Sequence, residues 1–261
     1  KKIHLFIINP NIIFFYMKNS YQKDPFIGLS HRGNSKNFIE NSLEAFNSVI
    51  QMGYKYIETD LRMTLDGKVI AFHDPDLRRL FNLDLWVKDL TFNEIANLFK
   101  EKKCCLLTLE DTLKEFPHVN FNIDLKVKEV IKQSIEIVGD LNAFDRVCFA
   151  SFHSSHTKKI LQHNQNAIVS MGMKDVALFK FFQIYNKNIK VIQIPLKWKG
   201  IELLTRSFMR KADKNNLLVH IWTVNDKDTI NNLIDIGVNG IITDEPELLM
   251  EIMKERDLVS N

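Results

Sequence analysis

The sequence predicts one α/β domain, a (β/α)8 TIM barrel with a small insertion after the second strand. Short apolar runs rich in β-branched residues alternate with longer stretches of helical period, which is typical of parallel strands joined by crossover helices. Eight strands are predicted, each followed by a helical stretch, in a chain of 261 residues. A doubly wound open sheet would show the same local alternation, but the count of eight and the length favour a closed barrel.

Hydrophobic periodicity gives the elements in chain order. In the first helix, Leu43, Phe46 and Val49 recur on one face, as in an amphipathic helix against a sheet. The Asp66-Gly67 pair is a strong turn signal and precedes a short extra strand at residues 69–72. The eight barrel strands are predicted at residues 26–30, 54–60, 121–125, 147–150, 168–171, 191–194, 217–222 and 240–242. Helices are predicted at residues 42–52, 128–139, 155–164, 175–185, 201–215, 226–236 and 245–254.

The insertion is predicted at residues 75–108, which do not follow the strand–helix rhythm. Thr91 with Glu94 forms a capping box, in which each side chain bonds the backbone of the other, and predicts that a helix begins there. Thr108 with Asp111 predicts a second helix start. The barrel domain, including the insertion, is predicted to span residues 25–256.

An apolar extension, residues 1–24, precedes the predicted barrel. Its apolar run, residues 3–17, is interrupted by Asn9, Pro10 and Asn11, so neither half reaches the roughly 20 residues of a membrane span. It has no small-residue cleavage site typical of a signal peptide. We predict that the run packs on the barrel in a cytoplasmic protein; the alternative is weak membrane contact through residues 12–17, with membrane association.

Charge and cysteine content exclude several classes of protein. The chain has 35 basic and 32 acidic residues, a formal net charge of +3, so no nucleic-acid partner is predicted. Cys104, Cys105 and Cys148 are an odd count with one vicinal pair, which fits neither a disulfide framework nor a Cys/His zinc site. All three are predicted to be reduced, with Cys148 in a buried strand. The expected partner is a small-molecule substrate, and the sequence does not indicate the oligomeric state.

Polar side chains recur where the predicted strands end. In a barrel, these ends share the rim that carries the active site. Glu58 and Asp60 lie two apart on the second strand, so both side chains face the same side. Two buried carboxylates repel each other unless a cation neutralises them, and Asp124 adds a third. Structural pairing with Lys or Arg is the alternative, but the rim position and the third acid favour a divalent metal with oxygen ligands.

Two histidines at the same rim, His31 and His73, are candidates for proton transfer, because their pKa lies near working pH. Arg32 offers a planar donor fork for phosphate oxygens, and Lys126 adds a second positive group. Asp74 directly follows His73, so their side chains are expected to point apart. The other histidines are predicted to be structural (His4, His118, His163, His220) or on the surface (His153, His156).

Taken together, these motifs resemble the glycerophosphodiester phosphodiesterase family. They occur in the family's order, from about residue 27 to 248. The motifs are His31-Arg32-Gly33, Glu40-Asn41-Ser42, Glu58-x-Asp60, Asp66-Gly67, His73-Asp74, Asp124-x-Lys126, Ser151-Phe152, Trp222-Thr223-Val224-Asn225 and Gly240-Ile241-Ile242-Thr243-Asp244-x-Pro246.

The resemblance implies a metal-dependent barrel enzyme, with Mg²⁺ or Ca²⁺, that splits a glycerophosphodiester into sn-glycerol 3-phosphate and an alcohol. It implies metal ligands at Glu58, Asp60 and Asp124, and a general acid and base at His31 and His73. It implies phosphate contacts at Arg32 and Lys126, pocket walls at Phe152 and Trp222, and supporting residues at Glu40 and Asn41. The insertion would shape the substrate entrance.

Two departures from the family pattern affect these expectations. Asp124 stands where the family commonly has Glu, which retracts the oxygens and could alter the choice of metal. Ile39 stands where Pro is common, which affects loop rigidity more than chemistry. Two alternatives stay open: a phospholipase D-like barrel that acts on lipid or lysolipid through a cyclic phosphate, and a catalytically silent binding scaffold. The complete set of two histidines and three acids disfavours the silent scaffold.

Overall fold

Eight parallel strands form a nearly closed barrel in the computed structural model, which describes residues 20–259. The described strands are β1 (Ile27–His31), β2 (Tyr56–Met63), β3 (Val69–Ala71), β4 (Asn120–Leu125), β5 (Val147–Ala150), β6 (Ile168–Val169), β7 (Val191–Ile194), β8 (Lys197–Trp198), β9 (Ile201–Glu202), β10 (Leu218–Ile221) and β11 (Gly240–Thr243). The barrel order is β6-β5-β4-β2-β1-β11-β10-β7. A parallel bridge between Ser170 and Val191 joins the two end strands. The predicted barrel is confirmed.

Helices follow the barrel strands on the outside, and two more lie in the insertion. They are α1 (Leu43–Gln51), α2 (Arg78–Phe81), α3 (Phe92–Glu101), α4 (Leu109–Glu115), α5 (Val130–Asp140), α6 (Ser154–His163), α7 (Met173–Phe182), α8 (Arg206–Lys214), α9 (Lys227–Ile236) and α10 (Pro246–Glu255). No helix among residues 20–259 is both long and apolar enough to cross a bilayer.

The main core lies between the helices and the barrel. Phe46 on α1 packs against Phe121 on β4, with ring centroids 6.0 Å apart, and against Phe116 at the same distance. These residues lie on the apolar faces that the 3.6-residue and two-residue periods predict. Burial of such faces is the dominant favourable term in folding. The apolar residues that predict each element are therefore also the residues that stabilise it.

A second apolar cluster fills the end of the barrel at which the strands begin. The ring of Tyr21 is fully buried there and meets Tyr56 edge to face, with centroids 5.6 Å apart. The backbone N–H of Tyr21 donates to the carbonyl of Asp145, just before β5. Tyr21 belongs to the predicted extension, residues 1–24. The apolar run and His4 lie outside the described residues, and the domain boundary stays a prediction.

The insertion forms a small unit with its own apolar cluster. Phe72, at the end of β3, packs against Phe99 on α3, with ring centroids 6.3 Å apart. Both predicted capping boxes are present, at Thr91 with Glu94 and at Thr108 with Asp111. The short helix α2 was not predicted from the sequence; it brings an arginine toward the rim of the barrel, as described below.

The predicted helix at residues 201–215 is wrong at its start. Residues 197–202 form the antiparallel hairpin of β8 and β9, and α8 begins only at Arg206. Lys199 and Gly200 both have positive φ, 49° and 81°, which matches the two-residue hairpin turn that twisted strands prefer. Thr205 caps the helix by accepting from the backbone N–H of Phe208. The Lys-Gly pair and this cap are the local signals that end the hairpin and start the helix.

The cysteines agree with the sequence prediction. Cys104, Cys105 and Cys148 are all free thiols. Cys148 is fully buried in β5, where burial raises the pKa of its thiol.

Candidate active site

A cavity of about 210 Å³ opens at the end of the barrel where the strands finish. Its lining includes every residue that the sequence predicted for catalysis, metal binding, phosphate binding or the pocket wall: His31, Arg32, Glu58, Asp60, His73, Asp124, Lys126, Phe152 and Trp222. The two predicted supporting residues, Glu40 and Asn41, lie behind this wall and contact it through Arg32 and Asp60. The structure therefore brings the predicted site together.

The turn after β1 places the first of these residues. Arg32 and Gly33 have positive φ, 62° and 77°, so the chain reverses directly after His31. The backbone N–H of Arg32 donates to the carbonyl of Glu58 at 2.9 Å, which ties the turn to β2. A Cβ on Gly33 would lie 2.7 Å from the backbone of Ala45, so the turn is closely packed on α1.

We expect Gly33→Ala to destabilise the protein strongly and to displace His31 and Arg32. The substitution combines a left-handed backbone with a backbone clash, and such strained sites each cost on the order of 1–3 kcal/mol. Gly67→Ala is the matched control, because Gly67 has a similar φ of 75° but nothing within 4 Å of its added Cβ. Thermal unfolding of both variants tests this; an equal loss of stability would contradict the packing argument.

Three carboxylates meet on β2 and β4, as predicted. Asp60 is paired with Asp124 in the register of the two strands. Glu58 and Asp60 are buried, at 6% and 0% exposure. The Oε2 atom of Glu58 has no hydrogen-bond partner among residues 20–259. Burial, together with the nearby charge of Asp60, raises the pKa of Glu58.

Two cations and an amide surround Asp60. Lys126 Nζ lies 2.8 Å from its Oδ1, Arg32 Nε lies 3.0 Å from its Oδ2, and Asn41 Nδ2 donates to Oδ2 at 3.0 Å. Burial opposes ionisation of Asp60, but the charges of Lys126 and Arg32 dominate and lower its pKa. Lys126 also contacts Asp124 Oδ2 at 2.5 Å. Asp60 is therefore the ionised centre of the site.

The three carboxylates have the ligand chemistry of a hard cation, but their present arrangement is not that of a metal site. Among residues 20–259, no group of three His, Cys, Asp or Glu side chains is arranged to hold a metal ion. The Lys126 ammonium contacts both Asp60 and Asp124 and supplies the balancing charge. Glu58 Oε2, which accepts no hydrogen bond from residues 20–259, and the oxygens that face Lys126 are nonetheless the ligand type that Mg²⁺ and Ca²⁺ take.

His31 lies between two carboxylates. Its Nδ1 is 2.5 Å from Asp244 Oδ1, and its Nε2 is 3.8 Å from Glu58 Oε2. Asn225 Nδ2 donates to the other oxygen of Asp244 at 2.9 Å and so fixes that carboxylate. Burial lowers the pKa of His31, but Glu58 and Asp244 outweigh it, and the pKa is raised. Asp244 belongs to the motif at residues 240–246, but no role was predicted for it.

His73 also has a carboxylate partner, which the sequence analysis did not expect. Its Nδ1 lies 2.7 Å from Asp74 Oδ1, so the prediction that the two side chains point apart is wrong. The alternation of side chains holds only within a strand, and β3 ends at Ala71, before a bend that turns both residues the same way. Burial lowers the pKa of His73.

An arginine from the insertion completes this side of the site. Arg79 donates from Nε to Asp74 Oδ2 at 2.6 Å and from its other nitrogens to both oxygens of Glu40. Glu40 also accepts from Arg32 at 3.0 Å. The side chains thus connect His73 to Arg32 through Asp74, Arg79 and Glu40. No sequence signal marked Arg79, which lies on the unpredicted helix α2.

Aromatic side chains form the opposite wall. Phe152 meets Trp222 edge to face, with centroids 5.5 Å apart, and lies 5.7 Å from Trp198 of the hairpin. The neighbouring His156 was predicted on the surface, which is wrong: it is 8% exposed, and its Nδ1 lies 3.0 Å from Ser151 Oγ. Helix α6 turns it inward, whereas His153 is exposed as predicted. His118 and His163 were predicted to be structural, but both are exposed, so that prediction is wrong.

One protein family matches most of the chain. The model of the "Glycerophosphoryl diester phosphodiesterase family" matches residues 31–248. The chain belongs to the glycerophosphoryl diester phosphodiesterase family. "Probable glycerophosphodiester phosphodiesterase 2" of Mycobacterium tuberculosis is 28% identical over 241 residues, which cover 88% of this chain and 91% of the relative.

Solved structures of similar proteins share the barrel. The glycerophosphodiester phosphodiesterase of Thermotoga maritima has a TM-score of 0.69 and 27% identity, with 87% of this chain and 98% of that chain covered. A phosphodiesterase of Oleispira antarctica, solved in complex with the product sn-glycerol-3-phosphate, has a TM-score of 0.74 and 16% identity, with 90% and 99% covered. At this low identity, the second likeness concerns the fold alone.

Two amide side chains that were not among the predicted site residues also line the cavity. Gln193 Nε2 donates to Asn122 Oδ1 at 2.7 Å, and both side chains line the cavity. Asn122 could have been found, because it lies two residues before Asp124 and therefore on the same strand face. His220 lies 3.4 Å from Gln193 and is fully buried; burial lowers its pKa to about 3.

We expect Asp244→Asn to lower kcat by about tenfold or more with a small change in KM. An amide cannot keep His31 in the same orientation with a proton on Nδ1, as the carboxylate does. Asp226→Asn is the matched control: Asp226 caps α9, and Asn caps a helix equally well. Steady-state kinetics of both variants check this. An unchanged kcat for Asp244→Asn would remove Asp244 as a positioning residue.

Proposed function

We propose that this chain hydrolyses glycerophosphodiesters to sn-glycerol 3-phosphate and an alcohol, with a divalent metal and with His31 and His73 as general acid and base. One observation carries the proposal: two imidazoles, each bound at Nδ1 by its own carboxylate, face one cavity that also holds Arg32 and Lys126. A carboxylate on Nδ1 fixes the ring and leaves Nε2 for proton transfer, which is the arrangement that acid–base catalysis requires.

The two histidines share the proton transfers. One accepts a proton from the nucleophile, and the other gives one to the leaving alkoxide. The nucleophile is either water or the substrate's own 2-hydroxyl, which would pass through a cyclic phosphate. Arg32, held by Glu40 and Asp60, offers its remaining donors to the phosphate oxygens, where negative charge builds in the transition state.

Glu58, Asp60 and Asp124 would hold the metal, Mg²⁺ or Ca²⁺. A bound divalent ion supplies Lewis-acid stabilisation of charge on the phosphate oxygens. Lys126 balances Asp60 and Asp124 in the present arrangement. With a metal ion on those oxygens, its ammonium would be available to the substrate's phosphate. The short side chain of Asp124 favours Ca²⁺, which tolerates irregular geometry better than Mg²⁺.

The expected substrate is a small molecule. A cavity of about 210 Å³ walled by Phe152 and Trp222 suits a glycerol phosphate moiety with its apolar edge against the rings. Action on lipid or lysolipid through a cyclic phosphate, and a silent scaffold, are the rival functions. The cytoplasmic location stays a prediction of the sequence, with weak membrane contact of the extension as its alternative.

A substrate panel separates these functions. The purified chain is incubated, with Mg²⁺ or Ca²⁺, with glycerophosphocholine, glycerophosphoethanolamine, glycerophosphoglycerol or lysophosphatidylcholine, and the products are resolved by ³¹P NMR. We expect sn-glycerol 3-phosphate from one or more of the first three. Turnover of lysophosphatidylcholine alone, or a cyclic phosphate as end product, would support the lipid-acting rival. No turnover of any substrate would support the scaffold.

A further inference from the structure

An exposed aromatic patch lies at the barrel end opposite the catalytic cavity. It consists of Phe181, Phe182 and Ile184, which are 60%, 68% and 61% exposed. Phe181 and Phe182 end α7, and Ile184 lies in the connection to β7. This connection is at the end of the barrel where the strands start. The cavity opens where the strands finish. The patch is therefore separate from the site described above.

Basic residues surround this patch. Lys211 Nζ on α8 donates to the carbonyl of Lys180 at 2.8 Å, directly beside the patch. Lys187 lies over the ring of Tyr185 at 4.1 Å and donates to Asn215 at the end of α8. These contacts place the ends of α7 and α8 together, so aromatic and cationic side chains share one surface.

The charge of this region differs from that of the rest of the chain. Residues 180–190 and 210–216, at the ends of α7 and α8 beside the patch, contain six Lys and Arg but only one Asp, a net charge of +5, whereas the other residues contain 29 basic and 31 acidic residues, a net charge of −2. In the described part of the chain, none of these six cations forms an ion pair with a carboxylate. The surface therefore carries positive charge that the protein itself does not balance.

We infer that this surface docks on an anionic lipid membrane, with Phe181, Phe182 and Ile184 inserted among the headgroups and the surrounding lysines on the lipid charges. Aromatic side chains favour the membrane–water interface, and unpaired lysines near it are attracted to anionic lipid. A second copy of the chain is a poorer occupant, because two faces with this excess of positive charge repel each other. Nucleic acid would pair with the lysines but would leave Ile184 without an apolar partner.

This orientation has a consequence for the enzyme. With the patch on the membrane, the cavity faces away from the lipid, so substrate reaches it from solution. Docking therefore fits a water-soluble phosphodiester and gives no help to an enzyme that extracts intact lipid. The inference does not depend on the proposed function, since no residue of the patch lines the cavity.

Vesicle sedimentation tests the docking. The full chain is mixed with vesicles of phosphatidylglycerol and phosphatidylcholine at equal amounts, or of phosphatidylcholine alone. We expect binding to the anionic vesicles that weakens at high salt because screening shortens the reach of surface charge. Phe181→Ser with Phe182→Ser should weaken this binding by about tenfold or more. Lys187→Glu with Lys214→Glu should weaken it by about 25-fold or more, at roughly fivefold per lysine.

Leu65→Ser with Leu85→Ser is the matched control, because these exposed apolar residues lie on connections at the cavity end. It should leave vesicle binding unchanged. Turnover of soluble substrate should be unchanged in the patch variants, and its absence in the parent chain would bear on the proposed function alone. Unchanged vesicle binding in both patch variants, or no binding by the full chain, would overturn the inference. So would a dimer that Phe181→Ser with Phe182→Ser converts to monomer.

Discussion

His31→Ala and His73→Ala are each expected to lower kcat by about 10²-fold or more, the usual contribution of a positioned general acid or base. Each imidazole has its own carboxylate on Nδ1 and lines the cavity. We expect that neither can replace the other, because they are held at different places, after β1 and after β3. Steady-state kinetics with the preferred substrate of the panel give the measurement.

The control for these variants is His118→Ala. His118 is exposed and lies outside the cavity, so the same loss of an imidazole there should leave kcat unchanged. Thermal unfolding of all three variants shows whether a loss of activity reflects a loss of fold. A His31 or His73 variant that keeps near-normal kcat would remove that residue from the proton transfers.

Glu58→Gln is expected to lower the kcat measured with metal by about 10²-fold or more. The same change should raise the stability of the metal-free protein. Glu58 is buried beside Asp60, its Oε2 accepts no hydrogen bond from residues 20–259, and its pKa is raised. When the pKa of a carboxyl group is higher in the folded than in the unfolded protein, the group lowers the free energy of unfolding at pH values above its unfolded pKa. The neutral amide of Gln removes this loss at neutral pH. A gain of 1 kcal/mol would appear as about 2–4 °C in Tm at this chain length.

Thermal unfolding with and without Mg²⁺ or Ca²⁺ separates the two effects. Metal should raise the Tm of the parent chain, because an ion that binds only the folded state stabilises it, and should raise that of Glu58→Gln much less. Glu115→Gln, an exposed change of the same kind on α4, should behave like the parent. An equal metal-dependent shift in Glu58→Gln would exclude Glu58 as a ligand.

The barrel could be predicted because its signals are local. The apolar face of α1 with Phe46, the buried run of β4 with Phe121, and the two capping boxes each follow from a few neighbouring residues. Once eight strand–helix units are counted, the topology alone brings His31, Glu58, Asp60 and Asp124 to one rim.

The contacts between distant residues could not be predicted in this way. Arg79 reaches Asp74 and Glu40 only because α2 folds back on the rim, and no periodic pattern marks a four-residue helix. Asp244 meets His31 across 213 residues of sequence. Such contacts depend on the register of the strands and on the course of the loops. Local patterns in one sequence do not predict either of these.

Two errors have a simpler origin, since in each a regular pattern was extended beyond its element. The alternation of β3 was carried past Ala71 to His73 and Asp74, and the helical period of α8 was carried back across the hairpin of β8 and β9. In both places the strand or helix ends and the backbone conformation changes, so the periodic pattern no longer predicts where the side chains point.

The most direct test measures sn-glycerol 3-phosphate released from glycerophosphocholine, glycerophosphoethanolamine and glycerophosphoglycerol, each with Mg²⁺, Ca²⁺ or excess chelator, by the parent chain and by His31→Ala from the same preparation. We expect release with metal, its loss with chelator and its recovery when metal is restored, with His31→Ala slower by about 10²-fold or more. Full activity after exhaustive chelation, or release by His31→Ala at the parent rate, would contradict a metal-dependent phosphodiesterase built on these residues.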